Sequence, residues 1–582
     1  MKKFSAVVRT NFVLAVLFSV LTVSFRADVS LLAFPLSAGF CALLCFPFFQ
    51  LFKKNSVKKI AAIRKIFQYE PFVFISAFVI QRSGEKGCAF MHDVFSALIW
   101  VALCVFSALI LRFLSDRRIG KISAEWKNFL DENRPKKSAG AVRIFREILE
   151  WGDALLQAVF TIMLLNIFIF QLYEIPSESM VPTFLVKDRV IVFKTLSGPK
   201  FPLSDAGIPY VTDYRRGDIV VFRNPHYGSD RKNEVKTFFS QFLYMCSLTL
   251  LKTNTDEKGE IKADPLVKRV AAVPGEQIYM LDGKLWSRTK DSAEFSVVEK
   301  DGEYAAWNLN DLPQKTKEKI QTIPLTQNQA EITLQVEEER RNLSLAEAAA
   351  ECEKLSAEFS RYARSQADSA EIPELLGERD LFVYNLFSAL NKNTTTLMTA
   401  EGGAEWTDDF LNGWHRDNAE FLDENYVWRD RYRESCFKLN VMAKILFGRL
   451  LVRNAELLVQ KIPFENWKDD EIRSQNLLSA QNLCFYILEM DLRNMMIFPP
   501  DDENGNPSFI PENCYFMMGD NRYNSLDMRH SYEETLISVT EFDRKSVTYY
   551  SNLSPLYVNR SRILGKANYR FWPLNRAGFP AK

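Results

Sequence analysis

Hydrophobic and polar positions divide this chain in two. Before residue 175, apolar residues gather in five runs without a charge: Thr10–Phe25, Val29–Phe52, Pro71–Gln81, Val94–Leu111 and Ala154–Tyr173. They hold 16, 24, 11, 18 and 20 residues in that order. A membrane-crossing helix needs roughly 20 apolar residues, with a range of about 17–25. The second, fourth and fifth runs meet that length, the first is marginal and the third is short. Beyond residue 175 the pattern changes to short strands and then to amphipathic helices.

Loop charge orders the five runs across a bilayer, because Lys and Arg accumulate on the cytoplasmic side. Lys2, Lys3 and Arg9 place the N-terminus inside. Lys53, Lys54, Lys58, Lys59, Arg64 and Lys65 follow the second run. Arg112, Arg117, Arg118, Lys121, Lys127, Arg134, Lys136, Lys137, Arg143 and Arg146 precede the fifth. Five crossings satisfy all three constraints and carry everything after Tyr173 to the outer face. The first run also fits a cleaved signal peptide. Arg26 and the absence of a convincing small-x-small site favour retention, and its removal would leave the other four crossings unchanged.

Residues 176–290 alternate like strands. Arg189–Lys194 and Asp218–Arg223 are rich in Val, Ile and Phe, and Val267–Val273 ends at Pro274-Gly275. Asp282-Gly283 between Ile278–Leu281 and Lys284–Trp286 predicts a tight hairpin. Phe238–Leu251 carries no charge but is too short to span. A buried strand or helix and a segment dipping into the outer leaflet fit it equally well.

Residues 291–508 predict a large helical insertion. Ser344 and Glu347 have capping-box spacing, with Ala348, Cys352, Leu355 and Phe359 behind them at helical intervals. Val441–Val459 and Gln475–Met490 read as amphipathic helices. Strand character returns over Cys514–Met518, so residues 509–582 are expected to complete the first β-rich segment.

Composition adds little beyond exclusions. At 582 residues the chain has room for several domains. A net charge of +1 gives no electrostatic case for nucleic acid. The nine cysteines form no Cys-x-x-Cys pair, and His92, His226, His415 and His530 form no ligand spacing, so no metal site is expected. Disulfides among the outer cysteines and buried free thiols both remain open.

The candidate chemistry lies in three separated blocks. Ser177 and Ser179 are bracketed by Pro176 and Pro182, which restrict the backbone. Lys268 is flanked by Leu266, Val267 and Val270. A serine hydroxyl needs a base, and desolvation can bring a lysine, with an ordinary pKa of about 10.4, into the useful range. Alone, Ser179 would be a turn residue and Lys268 half of a surface basic pair with Arg269. The third block, Gly519-Asp520-Asn521-Arg522-Tyr523-Asn524-Ser525, makes the combination specific.

Together with Arg216–Phe222, these blocks occur in the order found in bacterial type I signal peptidases, the serine–lysine proteases that the chain resembles. The resemblance implies an α+β membrane protein: N-terminal transmembrane helices over 1–175, an antiparallel β-rich catalytic core over 176–290 and 509–582, and the helical insertion between. It implies Ser179 as nucleophile, Lys268 as general base, and Ser177 with the Ser179 backbone N–H as the oxyanion hole. Ser525 would orient Lys268. Gly519, Asp520, Asn521, Arg522, Asp527 and Arg529 would hold the site, through an Asp527–Arg529 or Asp520–Arg522 ion pair. Tyr173, Ile175, Met180, Phe184, Leu266 and Val267 would line pockets for small side chains.

The implied reaction is removal of signal peptides at the outer, periplasmic face of the bacterial cytoplasmic membrane. It involves no metal or cofactor. The implied partners are secreted preproteins, membrane lipids and the protein-export translocon. The chain departs from the family pattern at Lys187, where glycine is usual, at Met528 between Asp527 and Arg529 with His530 directly after, and in the long helical insertion, the extra spans and the unmatched stretch at about 531–560. A processing protease with few substrates and a non-catalytic scaffold are the rival readings.

Overall fold

The computed structural model describes residues 2–23, 32–50, 59–132, 141–227, 230–246, 262–364, 394–399 and 401–580. Lys53, Lys54, Lys58, Arg134, Lys136 and Lys137 lie outside these residues, as do the outer ends of the first two apolar runs and residues 247–251.

The N-terminal runs fold as helices α1 (Lys2–Leu21), α2 (Ala33–Gln50), α3 (Ile60–Gln81) and α4 (Phe90–Phe113). The short α5 (Ala124–Glu132) and the long α6 (Ala141–Phe168) follow. Among the described residues, three helices are long and apolar enough to cross a membrane: Lys3–Leu21, Phe90–Phe113 and Glu147–Phe168. These are the expected first, fourth and fifth crossings; residues 29–31 and 51–52 of the second run lie outside the described residues. The apolar part of α2 is shorter, Ala33–Phe48. The third run lies inside α3, whose first half carries Arg64, Lys65 and Glu70. Glu70 is fully buried and accepts hydrogen bonds from Asn11 of α1 and Ser107 of α4, so α3 serves as the centre of a bundle.

The fifth run needs correction. Its helix stops at Phe168, and Phe170–Glu174 is strand β1, paired antiparallel with β2 (Arg189–Phe193). The aromatic and alternating Phe170-Gln171-Leu172-Tyr173 suits a sheet edge, and pairing satisfies its backbone.

The expected strands form. β3 (Ile219–Phe222), β4 (Leu266–Ala272), β9 (Cys514–Met518), β12 (Val558–Asn559) and β13 (Ile563–Trp572) join β1 and β2 in one antiparallel sheet. Its order is β1-β2-β13-β3-β4-β9-β12. A second sheet, β7-β6-β5-β8, comprises β5 (Glu276–Leu281), β6 (Lys284–Thr289), β7 (Ser292–Val297) and β8 (Met495–Phe498). Asp282 and Gly283 both take positive φ, 52° and 72°, the geometry the two-residue hairpin requires. β10 (His530–Ser538) and β11 (Thr548–Leu553) form a separate ribbon.

Phe238–Leu251 begins as helix: α7 covers Arg231–Cys246, and Phe238 packs on the core of the N-terminal bundle. Phe201, in the loop after β2, inserts between Phe78, Trp100 and Phe168, which seats the sheet on the bundle.

Between β7 and β8 the described chain is mainly helical: α8 (Glu299–Tyr304), α9 (Gln314–Lys317), α10 (Gln327–Asn342), α11 (Leu345–Arg364), α12 (Thr394–Thr399), α13 (Gly403–Asp417), α14 (Arg431–Val459) and α15 (Glu471–Arg493). α11, α13, α14 and α15 share a core that also takes in Val547 and Tyr549 beside β10–β11. The reciprocal capping box sits at Thr326 and Gln329. At the expected position only Glu347 N–H to Ser344 Oγ, at 3.4 Å, is formed. Cys41, Cys45, Cys104, Cys352, Cys436, Cys484 and Cys514 are unbridged.

Candidate active site

The three sequence blocks converge at the meeting of β3, β4 and β9. Residues Pro176–Thr183 form a turn just after β1, with Ser179 buried at 9 % exposure. The Glu178 carbonyl accepts from Val181 N–H (3.0 Å) and from Asn521 Nδ2 (3.1 Å). The Ser179 carbonyl accepts from Asn521 N–H at 3.1 Å. Among the described residues the Ser179 N–H donates to nothing. In a planar trans peptide it points opposite the pinned Glu178 carbonyl. Ser177 Oγ lies 3.4 Å from Ser179 Oγ.

Lys268 sits in β4, opposite Val220 of β3. Alternation puts its side chain on the face of Val220 and Val270, which is fully buried core. The lysine is 3 % exposed and makes no hydrogen bond or ion pair among the described residues. Burial lowers its pKa to about 8; Asp527 and Asp520 oppose that shift and Arg529 reinforces it. Arg269, next in β4, turns to the other face and pairs with Met518 of β9 in register.

Gly519 follows β9 directly. A Cβ there would fall 2.5 Å from the Ser179 carbonyl oxygen and would overlap Ser525 Oγ, so only glycine fits. This contact brings the third block against the first. Ser525 Oγ itself is buried with no hydrogen-bond partner among the described residues, so the expected Ser525–Lys268 bond is not formed.

Three buried ion pairs frame the site. Asp527 takes Gly519 N–H (2.9 Å) and Arg529 Nε (2.8 Å). Burial pushes the Asp527 carboxyl upward, but the Arg529 charge and hydrogen bonds outweigh it and hold the group well below the usual carboxylate range. This is the expected Asp527–Arg529 pair. The alternative Asp520–Arg522 pair is overturned. Asp520 is bound by Arg269 through Nε (2.8 Å) and Nη2 (2.7 Å), and by Thr183 Oγ1 (2.5 Å). Arg522 pairs instead with Asp301 of α8, at 2.6 Å. The side chains of Arg269, Thr183 and Asp301 complete the site and were not singled out from sequence. Arg269 could have been found, since the residue after an inward lysine in a strand must face the other way. Asp301 carries no signal, being a single acid far away in the chain.

Of the expected pocket residues, Ile175, Met180 and Phe184 are buried in one cluster with Val221, and Tyr173 and Val267 pack on it. Leu266 packs on the neighbouring core. Lys187 keeps the turn that glycine usually makes, at φ 70°, with its N–H on the Ile175 carbonyl (2.9 Å). His530 is buried, contacts Asn552 Oδ1 (3.1 Å) and is lowered to about 4, chiefly by burial and then by Arg529. It is therefore neutral near pH 7.

A family model described as signal peptidase, peptidase S26, matches residues 148–340 and 449–572, more than half of the chain. The chain belongs to the signal peptidase family. It is similar to signal peptidase I of Pseudomonas aeruginosa, 32 % identical over 131 residues, covering 22 % of this chain and 45 % of that protein. It is also similar to signal peptidase I of Pseudomonas fluorescens, 36 % identical over 78 residues, covering 13 % of this chain and 28 % of that one. Signal peptidase I T of Bacillus subtilis is 26 % identical over 170 residues, covering 29 % of this chain and 61 % of that one. The chain thus spans less than two thirds of these relatives. Residues 341–448, between the two matched stretches, hold most of the α11–α14 core.

Proposed function

We propose that this chain is a membrane-bound serine endopeptidase that removes N-terminal signal peptides from exported preproteins, with Ser179 as nucleophile and Lys268 as general base. One observation carries the reading. A lysine buried without a partner among the described residues, with its pKa lowered to about 8, lies one residue from the β4–β9 pairing whose next residue, Gly519, abuts Ser179.

The chemistry needs little else. Neutral Lys268 Nζ takes the Ser179 Oγ proton as the oxygen bonds to the substrate carbonyl carbon. The Ser179 N–H and the Ser177 hydroxyl hydrogen-bond the resulting oxyanion. Collapse breaks the C–N bond, and the Lys268 ammonium returns the proton to the departing amine. Water then attacks the ester carbonyl and gives a proton to Lys268; collapse breaks the bond to Ser179 Oγ, which takes that proton back from the Lys268 ammonium, and the signal peptide leaves with a free carboxyl group.

Five N-terminal crossings with the N-terminus inside would place the site at the outer face of the cytoplasmic membrane, where a signal peptide presents its cleavage site. Apolar Ile175, Met180 and Phe184 would favour small residues there. Preproteins and lipids are the expected partners, and the export translocon would supply the substrate. A protease with few substrates is a second reading, favoured by the residues 341–448 that the family model does not match. Depletion decides between them: accumulation of many preproteins supports the first, and of one or a few the second.

A further inference from the structure

Glu178 lies between the two serines of the turn and is only 7 % exposed. Its carboxylate accepts the backbone N–H groups of two consecutive residues, Gln321 on Oε1 and Thr322 on Oε2 (3.1 Å for the second). Among the described residues no cation pairs with it. A buried carboxylate is costly unless hydrogen-bonded, so these two N–H groups hold it in place.

The same stretch of chain grips the site at three other points. Val181 and Leu185, just past Ser179, are buried against Leu309, with Ala306, Leu312 and Ile320 packed around them. Ala306 N–H donates to the Asp520 carbonyl (2.7 Å), and Arg522 N–H to the Ala306 carbonyl (3.2 Å). Asp301 holds the Arg522 guanidinium. Residues 301–322 thus contact both the Ser179 turn and the Gly519–Arg522 block.

We propose that Glu178 is a positioning residue and that residues 301–322 are a brace that aims the 178–179 peptide. This inference rests on the peptidase reading. The Glu178 carbonyl is fixed by Val181 and Asn521, and its side chain by Gln321 and Thr322. The peptide plane between them then has no freedom to turn, so the Ser179 N–H is held ready for the oxyanion. Misplacement by about 1 Å costs on the order of 10²-fold in rate. Glu178 does not act through charge on the base, since the charges bearing on Lys268 are Asp527, Arg529 and Asp520.

The test uses full-length protein and its Glu178→Ala and Glu178→Gln variants, with a preprotein substrate and with amide hydrogen exchange. The brace predicts kcat lowered about 10–100-fold in Glu178→Ala, with KM within about twofold. Glutamine keeps one acceptor but sets its NH2 against the second N–H, so its loss should be intermediate. The midpoint of the pH–rate profile should stay at the wild-type value. Exchange at Gln321 and Thr322 should quicken in both variants, whether or not the wild type cleaves the substrate. Unchanged kcat in an active enzyme, a moved midpoint, or unchanged exchange would each overturn the brace. A wild type that does not cleave, with quickened exchange in the variants, would retain the brace and discard the peptidase reading.

Discussion

Gly519 and Ser179 meet backbone to backbone, so closely that a Cβ on residue 519 would stand 2.5 Å from the Ser179 carbonyl oxygen. The distance is too short for any other residue, and the obstacle on one side is main chain that cannot swing away. Gly519→Ala should therefore displace the Ser179 turn, with activity reduced at least about 100-fold. Adding Ser525→Ala removes only the side-chain clash. The double variant should stay impaired, as preprotein cleavage rates would reveal.

Rate should follow the protonation of Lys268. With its pKa lowered to about 8, mainly by burial, the neutral form is the minor one below that pH. kcat/KM should rise about tenfold per pH unit up to about 8 and then level off. The stability effect has a defined sign. The folded pKa lies below the unfolded one, so the lysine's contribution is complete above about 10.4 and is lost as pH falls to about 8. Lys268→Met should be more stable than wild type below pH 8, and the difference should shrink as pH rises, as read by thermal melts.

The Arg269–Asp520 pair is buried on both sides, at 4 % and 0 % side-chain exposure. Removing one partner of such a pair costs roughly 3–5 kcal/mol, because the other charge is left without compensation. Arg269→Ala and Asp520→Ala should each lower the melting temperature strongly. The double variant should lose less than the sum of the two.

Lys187 occupies the left-handed region at φ 70°. That region costs a non-glycine residue about 1–2 kcal/mol. Lys187→Gly should therefore stabilise the protein by about 1 kcal/mol, less the added freedom of glycine in the unfolded chain. Activity should be retained, and chemical denaturation would measure the change.

Strands were legible where apolar runs alternate between turn residues, as in β2, β3, β4 and the Asp282-Gly283 hairpin. The end of the fifth apolar run was not, because Phe170–Tyr173 is as apolar as the helix before it and only pairing with β2 distinguishes them. Of the site, the sequence displayed residues clustered in short blocks. It hid Asp301 and residues 321–322, which reach the site through tertiary folding. It also misdirected Asp520 toward its near neighbour Arg522, since proximity in sequence says nothing about which face of a strand a partner occupies.

The most direct measurement is cleavage of a preprotein carrying an Ala-x-Ala site by purified wild-type protein in detergent, beside Ser179→Ala and Lys268→Ala. Cleavage at that site is expected, reduced by a factor on the order of 10⁴–10⁶ in each variant, with melting temperatures showing that both variants remain folded. Cleavage that persists in either folded variant would contradict the serine–lysine account.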